Sequence, residues 1–552
     1  MEQTRLFLAI ALSLLVFFVW TYFFTPKPEI VNSDTKVTEE VKKQDNNEEQ
    51  QQKVINNNVD LITPQKQITT ETVEVKSIKT PLYQLKISNK GAVFKSFKLN
   101  KYKEKNEKDS KLKELISEDI INGSYELSFN NKNIDLSESS FFKCDNTQRE
   151  IELKETKMKL MYSYVTTDGI VIEKTYEFDP KSYLIGLDVN IKNGSNRTIN
   201  DNLSISVKNI ISDKTGFAFE GPSLYINKNL EQINVKDIDE NGVFKGNIEW
   251  VTIEDRYFMT GIIPHIKEDA EIYLGYNANN KRIINAQIVK NTGNINSGNQ
   301  KSISFDIYAG PKKLKILKDI GSNFDKVVNF GWFDFIAKPC LMLMNIIYEN
   351  IFSNYGIAII ILTLIFKIVF WPLGTKSYKS MNDMKKLQPL VAELREKYKN
   401  DKQKMKQEMM GLYKTYKVNP LSGCLPMVVQ MPIFFAFYRM LYSAIELRHA
   451  PFFGWIMDLS APDRLFDFGV AIPYFEQPTG IPVLTLLMGA SMFLQQKMSP
   501  PAGDPMQAKM MMLMPLFMTV IFVNFSSGLV LYWLVNNVVS ISQQYYVMKK
   551  NA

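Results

Sequence analysis

Lys367 stands inside an otherwise apolar run, residues 356–371. A lysine at the centre of a bilayer costs about 2.5–3.5 kcal/mol, so a lysine in such a run calls for polar company. Thr363 lies one helical turn away on the same face, Gln430 falls inside the next apolar segment, and Asn524 falls in a later one. Tyr532, Asn536 and Ser540 stack at i, i+4 and i+8 along the last. Together these side chains outline a water-accessible, positively charged recess within a helix bundle, because ionisable groups in membrane spans face such cavities. Such a recess would attract polar, often acidic, segments of another chain. Two plainer readings compete. Lys367 is only about 9 Å of helix rise from Leu373, close enough to snorkel to the headgroups. Each polar stripe alone could serve as hydrogen-bonding glue between helices.

Other chemistries lack their residues. The apolar segments hold no carboxylate, which argues against a proton or cation relay. The two histidines, His265 and His449, lie in different regions, so neither a histidine metal site nor a triad is expected. Cys144, Cys340 and Cys424 are far apart and give neither a disulfide framework nor metal-ligand spacing. No P-loop occurs. No cofactor, metal or enzymatic activity is therefore expected. Glu254-Asp255-Arg256 is the densest charge cluster of the polar half, and it reads as a solvated turn or surface ion pair.

The elements that position Lys367 follow from hydropathy. The chain has 552 residues, 45% hydrophobic, and a net charge of +8, but these figures average two unlike halves. Residues 6–24 carry no charge and read as a retained N-terminal anchor spanning 1–25, since no small-x-small cleavage site follows. Residues 26–70 are rich in Glu, Asn, Gln, Lys and Thr and read as a flexible linker. From 71 to 325 apolar residues alternate. Tyr183, Ile185, Leu187, Val189 and Ile191 share one strand face before an Asn193-Gly194 turn, and Ile303, Phe305 and Ile307 share another. An all-β sandwich is expected there.

Residues 326–552 read as a helical core. A helix at 332–352 carries a narrow polar stripe of Asp334, Lys338, Asn345 and Glu349 and is expected to lie in the membrane surface, with a further span as the alternative. Five spans are expected at 355–373, 421–441, 481–496, 510–525 and 529–547, six with the anchor. The loop 374–419 holds twelve basic residues against five acidic ones, whereas the next loop has only Arg448 and Arg464 as bases. The alternation of basic and base-poor loops puts the 374–419 loop and both termini in the cytoplasm and the β domain outside. Within that loop Leu387, Val391, Leu394 and Tyr398, then Met405, Met409, Leu412 and Tyr416, repeat at helical steps around Asn400-Asp401. This predicts a helical hairpin, whose positive charge suits anionic lipid headgroups or ribosomal RNA. Met427, Met431 and Phe434 on one span, and Met514 and Met518 on another, form adaptable apolar faces along which a foreign segment could slide.

These features assemble into a family pattern. Asn419-Pro420-Leu421-Ser422-Gly423-Cys424-Leu425-Pro426, Gln430-Met431-Pro432-Ile433-Phe434, Glu446-Leu447-Arg448, Trp455-Ile456-Met457-Asp458-Leu459-Ser460, Gln496-Lys497-Met498-Ser499, Asp504-Pro505-Met506-Gln507 and Gly528-Leu529-Val530-Leu531-Tyr532 occur in order. The chain thereby resembles the YidC/Oxa/Alb insertase family, in the Gram-negative form whose outer domain ends like Tyr308-Ala309-Gly310-Pro311-Lys312. The resemblance implies a periplasmic β-super-sandwich and an inner-membrane core of five helices around a hydrophilic groove. Lys367 matches the groove cation, usually Arg, and Thr363, Gln430 and Tyr532 match lining positions. Ser526 stands where relatives often have Pro. The implied activity is insertion, folding and assembly of inner-membrane proteins. The implied partners are nascent membrane proteins, the ribosome, the Sec translocon (SecYEG and SecDF), and the signal recognition particle and its receptor. The tail after Tyr546 is short, so ribosome contact is expected to rest on the 374–419 loop.

Two rivals make other predictions. A small-solute transporter would show inverted repeats, and none is visible. A sugar-modifying β domain would need a convergent polar constellation, which two scattered histidines do not supply.

Overall fold

The computed structural model describes residues 72–550 apart from 212–217, 278–279, 417, 419–424, 474 and 500–504. The expected anchor at 1–25, the linker at 26–70, residues 419–424 of the first family motif and the side chain of Met427 lie outside what is described.

Among the described residues alternating hydrophobicity builds two sheets, one of five strands and one of thirteen. Strand Leu184–Asn193 pairs antiparallel with Gln300–Pro311, placing Ile185 opposite Ile307, Leu187 opposite Phe305 and Val189 opposite Ile303. The two expected apolar faces thus share one register, and all six side chains are buried. On the other side the strand pairs with Ile170–Phe178. There Ile170, Ile172, Lys174, Tyr176 and Phe178 all point inward, so parity carries a lysine into the core. The Lys174 ammonium donates to the carbonyls of Ala92 (2.7 Å), Tyr125 (3.0 Å) and Gly91 (3.2 Å). All three acceptors have positive φ, at 73° for Gly91, 47° for Ala92 and 62° for Tyr125. The buried cation therefore gathers carbonyls that left-handed turns have aimed into the core. Burial pushes its pKa down to about 7.

Among the described residues ten α-helices follow. α1 (Leu314–Ile320) leads into α2 (Asp334–Asn350), the amphipathic helix. α2 buries Ala337, Cys340, Leu341, Met344 and Ile347 and packs on α3 (Tyr355–Val369) and on a later helix, Leu425–Ser443. Trp332 just before it, and Phe335 and Ile346 on it, stay exposed. α3 does not run on to residue 373 as expected. The helix breaks at Phe370, and α4 (Trp371–Lys386) leaves at 65°. Pro372 in the first turn of α4 suits a restart there. α5 (Gln388–Lys397) and α6 (Lys402–Thr415) form the expected hairpin, with Asp401 capping α6 through the Lys404 amide (3.0 Å).

α7 (Leu425–Ser443), α8 (Val483–Met498), α9 (Pro505–Phe522) and α10 (Ser527–Lys550) complete the core. α10 packs on α3, α4, α7 and α8, and α9 packs on α8. At the α8–α9 crossing a Cβ added to Gly489 would meet the Thr519 hydroxyl at 2.1 Å, so only glycine permits this approach. Among the described residues no single helix is both long and apolar enough to cross a membrane, although the bent α3–α4 pair is.

The Glu254-Asp255-Arg256 cluster is not a solvated turn. Glu254 is 1% exposed and binds the Lys312 ammonium (2.5 Å), the Gln232 amide (3.1 Å) and the Ser223 hydroxyl. Asp255 accepts from the amides of Tyr257 and Phe258, both at 2.7 Å. Arg256 reaches out of the β domain to the end of α7. Its Nε donates to the Tyr442 carbonyl (2.7 Å), and its guanidinium lies 3.6 Å from the Tyr442 ring centre. Arg448, just beyond α7, returns the contact by donating to the carbonyls of Lys103 (2.5 Å) and Glu104 (3.1 Å) in the β domain. The charges turn inward because a helix C-terminus and a strand end both offer unpaired carbonyls there.

Candidate functional site

α3, α7 and α10 bring one polar cluster together between apolar faces. The Lys367 ammonium, in the last turn of α3, donates to the Ser540 hydroxyl (2.7 Å). Ser540 in turn donates to the Asn536 carbonyl one turn back along α10 (2.7 Å). The Asn536 side-chain oxygen accepts from the Gln430 amide of α7 (2.6 Å). Gln430 also engages the Tyr532 hydroxyl, and the Tyr532 ring stacks on Phe437 at 4.7 Å. Five of the seven expected groove residues are thereby linked across three helices. Lys367, Gln430 and Asn536 are half-buried, while Tyr532 and Ser540 are buried. Among the described residues Lys367 has one acceptor, which leaves two of its three N–H donors for water or a foreign group.

The other two expected residues sit elsewhere. Thr363 faces the interior one turn above Lys367, but its hydroxyl donates to the Ile359 carbonyl of its own helix (2.7 Å) and is 1% exposed. Asn524 lies in the turn between α9 and α10. Its side-chain oxygen accepts from Arg464 (3.0 Å) and from the Glu476 amide (3.0 Å), fastening a loop. Asn524 precedes α10, and Ser540 lies about 20 Å of helix rise along it from Ser527, so the two are far apart in the bundle. Of the expected sliding faces, Met431 (44%) and Met514 (51%) are exposed, while Phe434 and Met518 are half-buried. Phe434 packs edge-on against Trp533 at 4.7 Å.

Sequence reasoning missed the lower half of the cluster. Gln543 donates to the Trp371 carbonyl (2.8 Å) and the Thr375 hydroxyl (3.2 Å), holding α10 to the bend after α3. Gln544 is buried with its side-chain oxygen unpaired. Tyr378 of α4 engages Ser540, and Asn537 donates to Ser491 of α8 (3.0 Å). The signal was present, because the stripe from Tyr532 to Ser540 continues at Gln543 and Gln544, three and four residues further on.

The helix ends remote from Lys367 are tied by charged groups. Asp463 accepts from the amides of Leu484 and Thr485 at the start of α8 and from the Trp455 indole (2.5 Å). Burial raises the pKa of its carboxyl above the usual carboxylate value. Glu446, at the α7 exit, is half-buried. Burial raises its pKa too, and the Asn345 amide of α2 lies at 3.4 Å.

A helical core bearing a partly buried polar cluster, joined to a large β domain, matches two family descriptions. Residues 76–343 match the YidC periplasmic domain and residues 346–552 match the 60Kd inner membrane protein family. This defines an inner-membrane protein with a periplasmic β domain. The membrane protein insertase YidC of Syntrophus aciditrophicus is 38% identical over 98% of this chain and 99% of its own. That of Syntrophobacter fumaroxidans is 40% identical over 99% of each. Among solved structures an active YidC insertase with its first transmembrane domain resolved is 17% identical, with a TM-score of 0.38, covering 86% of this chain and 95% of its own. The chain belongs to the YidC family of membrane protein insertases. This is a non-enzymatic family, and the transporter and sugar-enzyme readings fall away.

Proposed function

We propose that this insertase works through a hydrophilic groove lined by Lys367, Gln430, Tyr532, Asn536 and Ser540. The observation that carries the reading is the hydrogen-bonded chain from Lys367 through Ser540 and Asn536 to Gln430, which leaves ammonium donors unspent. A nascent membrane protein presents a polar and an apolar segment at the cytoplasmic face. The ammonium and its neighbours hydrate the polar segment part-way into the bilayer and shorten the dehydrated path. At an effective dielectric of 20, a carboxylate about 4 Å from Lys367 gains about 4 kcal/mol, enough to favour acidic segments. The apolar segment leaves along Met431, Phe434, Met514 and Met518 into lipid. Burial worth about 25 cal/mol per Å² of apolar surface drives the step without nucleotide.

In this reading α3, α7, α8, α9 and α10 cross the membrane together with residues 6–24. Both termini lie in the cytoplasm, and α2 rests on the outer surface. The basic α5–α6 hairpin meets anionic headgroups and the ribosome. The Sec translocon, the signal recognition particle and its receptor are the further partners.

The test is complementation in a depletion strain. Lys367→Ala should slow insertion of single-span clients with acidic outer segments, and Lys367→Arg should restore it. Full activity of Lys367→Ala towards every such client would remove the groove cation from the mechanism.

A further inference from the structure

Between α7 and α8 the chain makes a hairpin, residues 465–473 and 475–481 as described, which the insertion mechanism does not use. Its base is a bridge in which Leu465 and Ile481 exchange backbone hydrogen bonds (2.8 and 3.0 Å). Above it the Phe468 amide donates to the Thr479 carbonyl (2.7 Å), and the Thr479 hydroxyl donates to the Val470 carbonyl (2.5 Å). Phe466 at φ 61° and Gly469 at φ 64° take left-handed conformations that turn the strand outward. Phe466, Phe468 and Val470 are 70%, 49% and 57% exposed. Three large apolar side chains thus leave half or more of their surface uncovered by the described residues.

The position of the hairpin says what they meet. Arg464, at its foot, donates to the Val523 carbonyl (2.8 Å), the Asn524 side chain (3.0 Å) and the Pro478 carbonyl (3.1 Å). The Glu476 amide binds the same Asn524 oxygen. Asp463, one residue before, accepts from the first amides of α8. The hairpin is therefore pinned at the shared outer end of α8, α9 and α10. The hairpin leads directly into α8, where one turn on begins an exposed apolar face of Leu486, Leu487, Phe493 and Leu494. Residues 465–481 include Asp467 and Glu476 but no Lys or Arg, so nothing in them attracts an anionic surface.

We propose that this hairpin dips into the outer leaflet, seating Phe466, Phe468 and Val470 at the boundary of zwitterionic headgroups and acyl chains and anchoring the outer end of α8 and α9. Aromatic and aliphatic side chains held at that boundary bind by apolar burial to a depth of about 5–10 Å, largely independent of salt. The inference rests on the reading that α8–α10 cross the membrane.

The test places single cysteines in the full chain with Cys144, Cys340 and Cys424 replaced by serine. Phe468→Cys, and separately Val470→Cys, would carry an environment-sensitive fluorophore. Leu494→Cys on α8 would report the span, and Lys154→Cys would report the exposed β-domain surface. In phosphatidylethanolamine and phosphatidylcholine vesicles, the hairpin labels should emit to the blue of the Lys154 label. Lipids carrying a nitroxide near the headgroup should quench them, with no response to salt. Emission matching that at Lys154, with quenching by aqueous iodide, overturns the proposal. So does shielding from both quenchers, which would place a second protein surface on the hairpin, and so does insertion that requires anionic lipid. If the Leu494 label is not quenched by lipid, the spanning reading fails. If it is quenched and the hairpin labels are not, only the hairpin proposal fails.

Discussion

Removing the two arginines at the domain junction should release the β domain from the helical core. Arg256 contributes a charge-assisted hydrogen bond to the Tyr442 carbonyl and a ring contact at 3.6 Å. A hydrogen bond to a charged group is worth about 1.5–3 kcal/mol and a half-buried cation–π contact about 0.5–2 kcal/mol. Arg256→Ala should therefore weaken docking by about 3 kcal/mol, more than a hundredfold in the docked-to-undocked ratio. Arg448→Ala removes two carbonyl contacts, to Lys103 and Glu104, and a ring contact with Phe258 at 5.2 Å, a loss of similar size. The Asn106 amide on the Met457 carbonyl (2.7 Å) remains. Either single variant should stay mostly docked, and the double variant should populate a range of orientations. Pulsed electron resonance between nitroxides at exposed Lys154 and Tyr546 measures this directly. A narrow distance distribution in the unsubstituted chain should broaden in the double variant. If the distribution of the double variant superimposes on the parent, the arginines do not hold the junction, and the reasoning from their partners is wrong.

Two further outcomes follow from the structure. Lys174 has a pKa of about 7 when folded, against 10.5 when exposed, so between those values the unfolded chain binds more protons and β-domain stability rises with pH. From pH 7 to 9 that gain is about 2 kcal/mol. It should vanish in Lys174→Met, as urea unfolding followed by proteolysis of the β domain would show, and an equal gain in both proteins would refute the assignment. Asp463→Ala strips the cap from α8 and leaves the Trp455 indole unpaired, which should cost about 2 kcal/mol. Asp463→Asn should recover part of that in thermal unfolding, and no loss in the alanine variant would count against the capping role.

How far the sequence foretold this molecule differs element by element. The inward faces of the central strands were legible because a period of two admits one core-facing register, and the α5–α6 hairpin because its apolar seam repeats at helical steps. The cluster of Lys367, Gln430, Tyr532, Asn536 and Ser540 was legible because polar residues in apolar runs stand out. Other placements depend on partners distant in the chain. Nothing local to Asn524 distinguishes a groove residue from a loop fastener, since Arg464 and Glu476 lie roughly fifty to sixty residues away. Arg256 looked like surface charge because its acceptor belongs to Tyr442. Lys174 defied the expectation that lysines face water, since its carbonyl partners come from two separate turns. The break at Phe370 left no strong mark beyond Pro372, which starts a helix as readily as it ends one.

The glycine at the α8–α9 crossing has a wider consequence. At Gly489 the backbone of α8 lies directly against Thr519 of the methionine-bearing α9, with no room for a side chain between them. Met512, Leu513, Met514, Leu516 and Phe517 all turn outward on α9. A bulkier side chain at position 489 would part α9 from α8 and displace that outward methionine face with it.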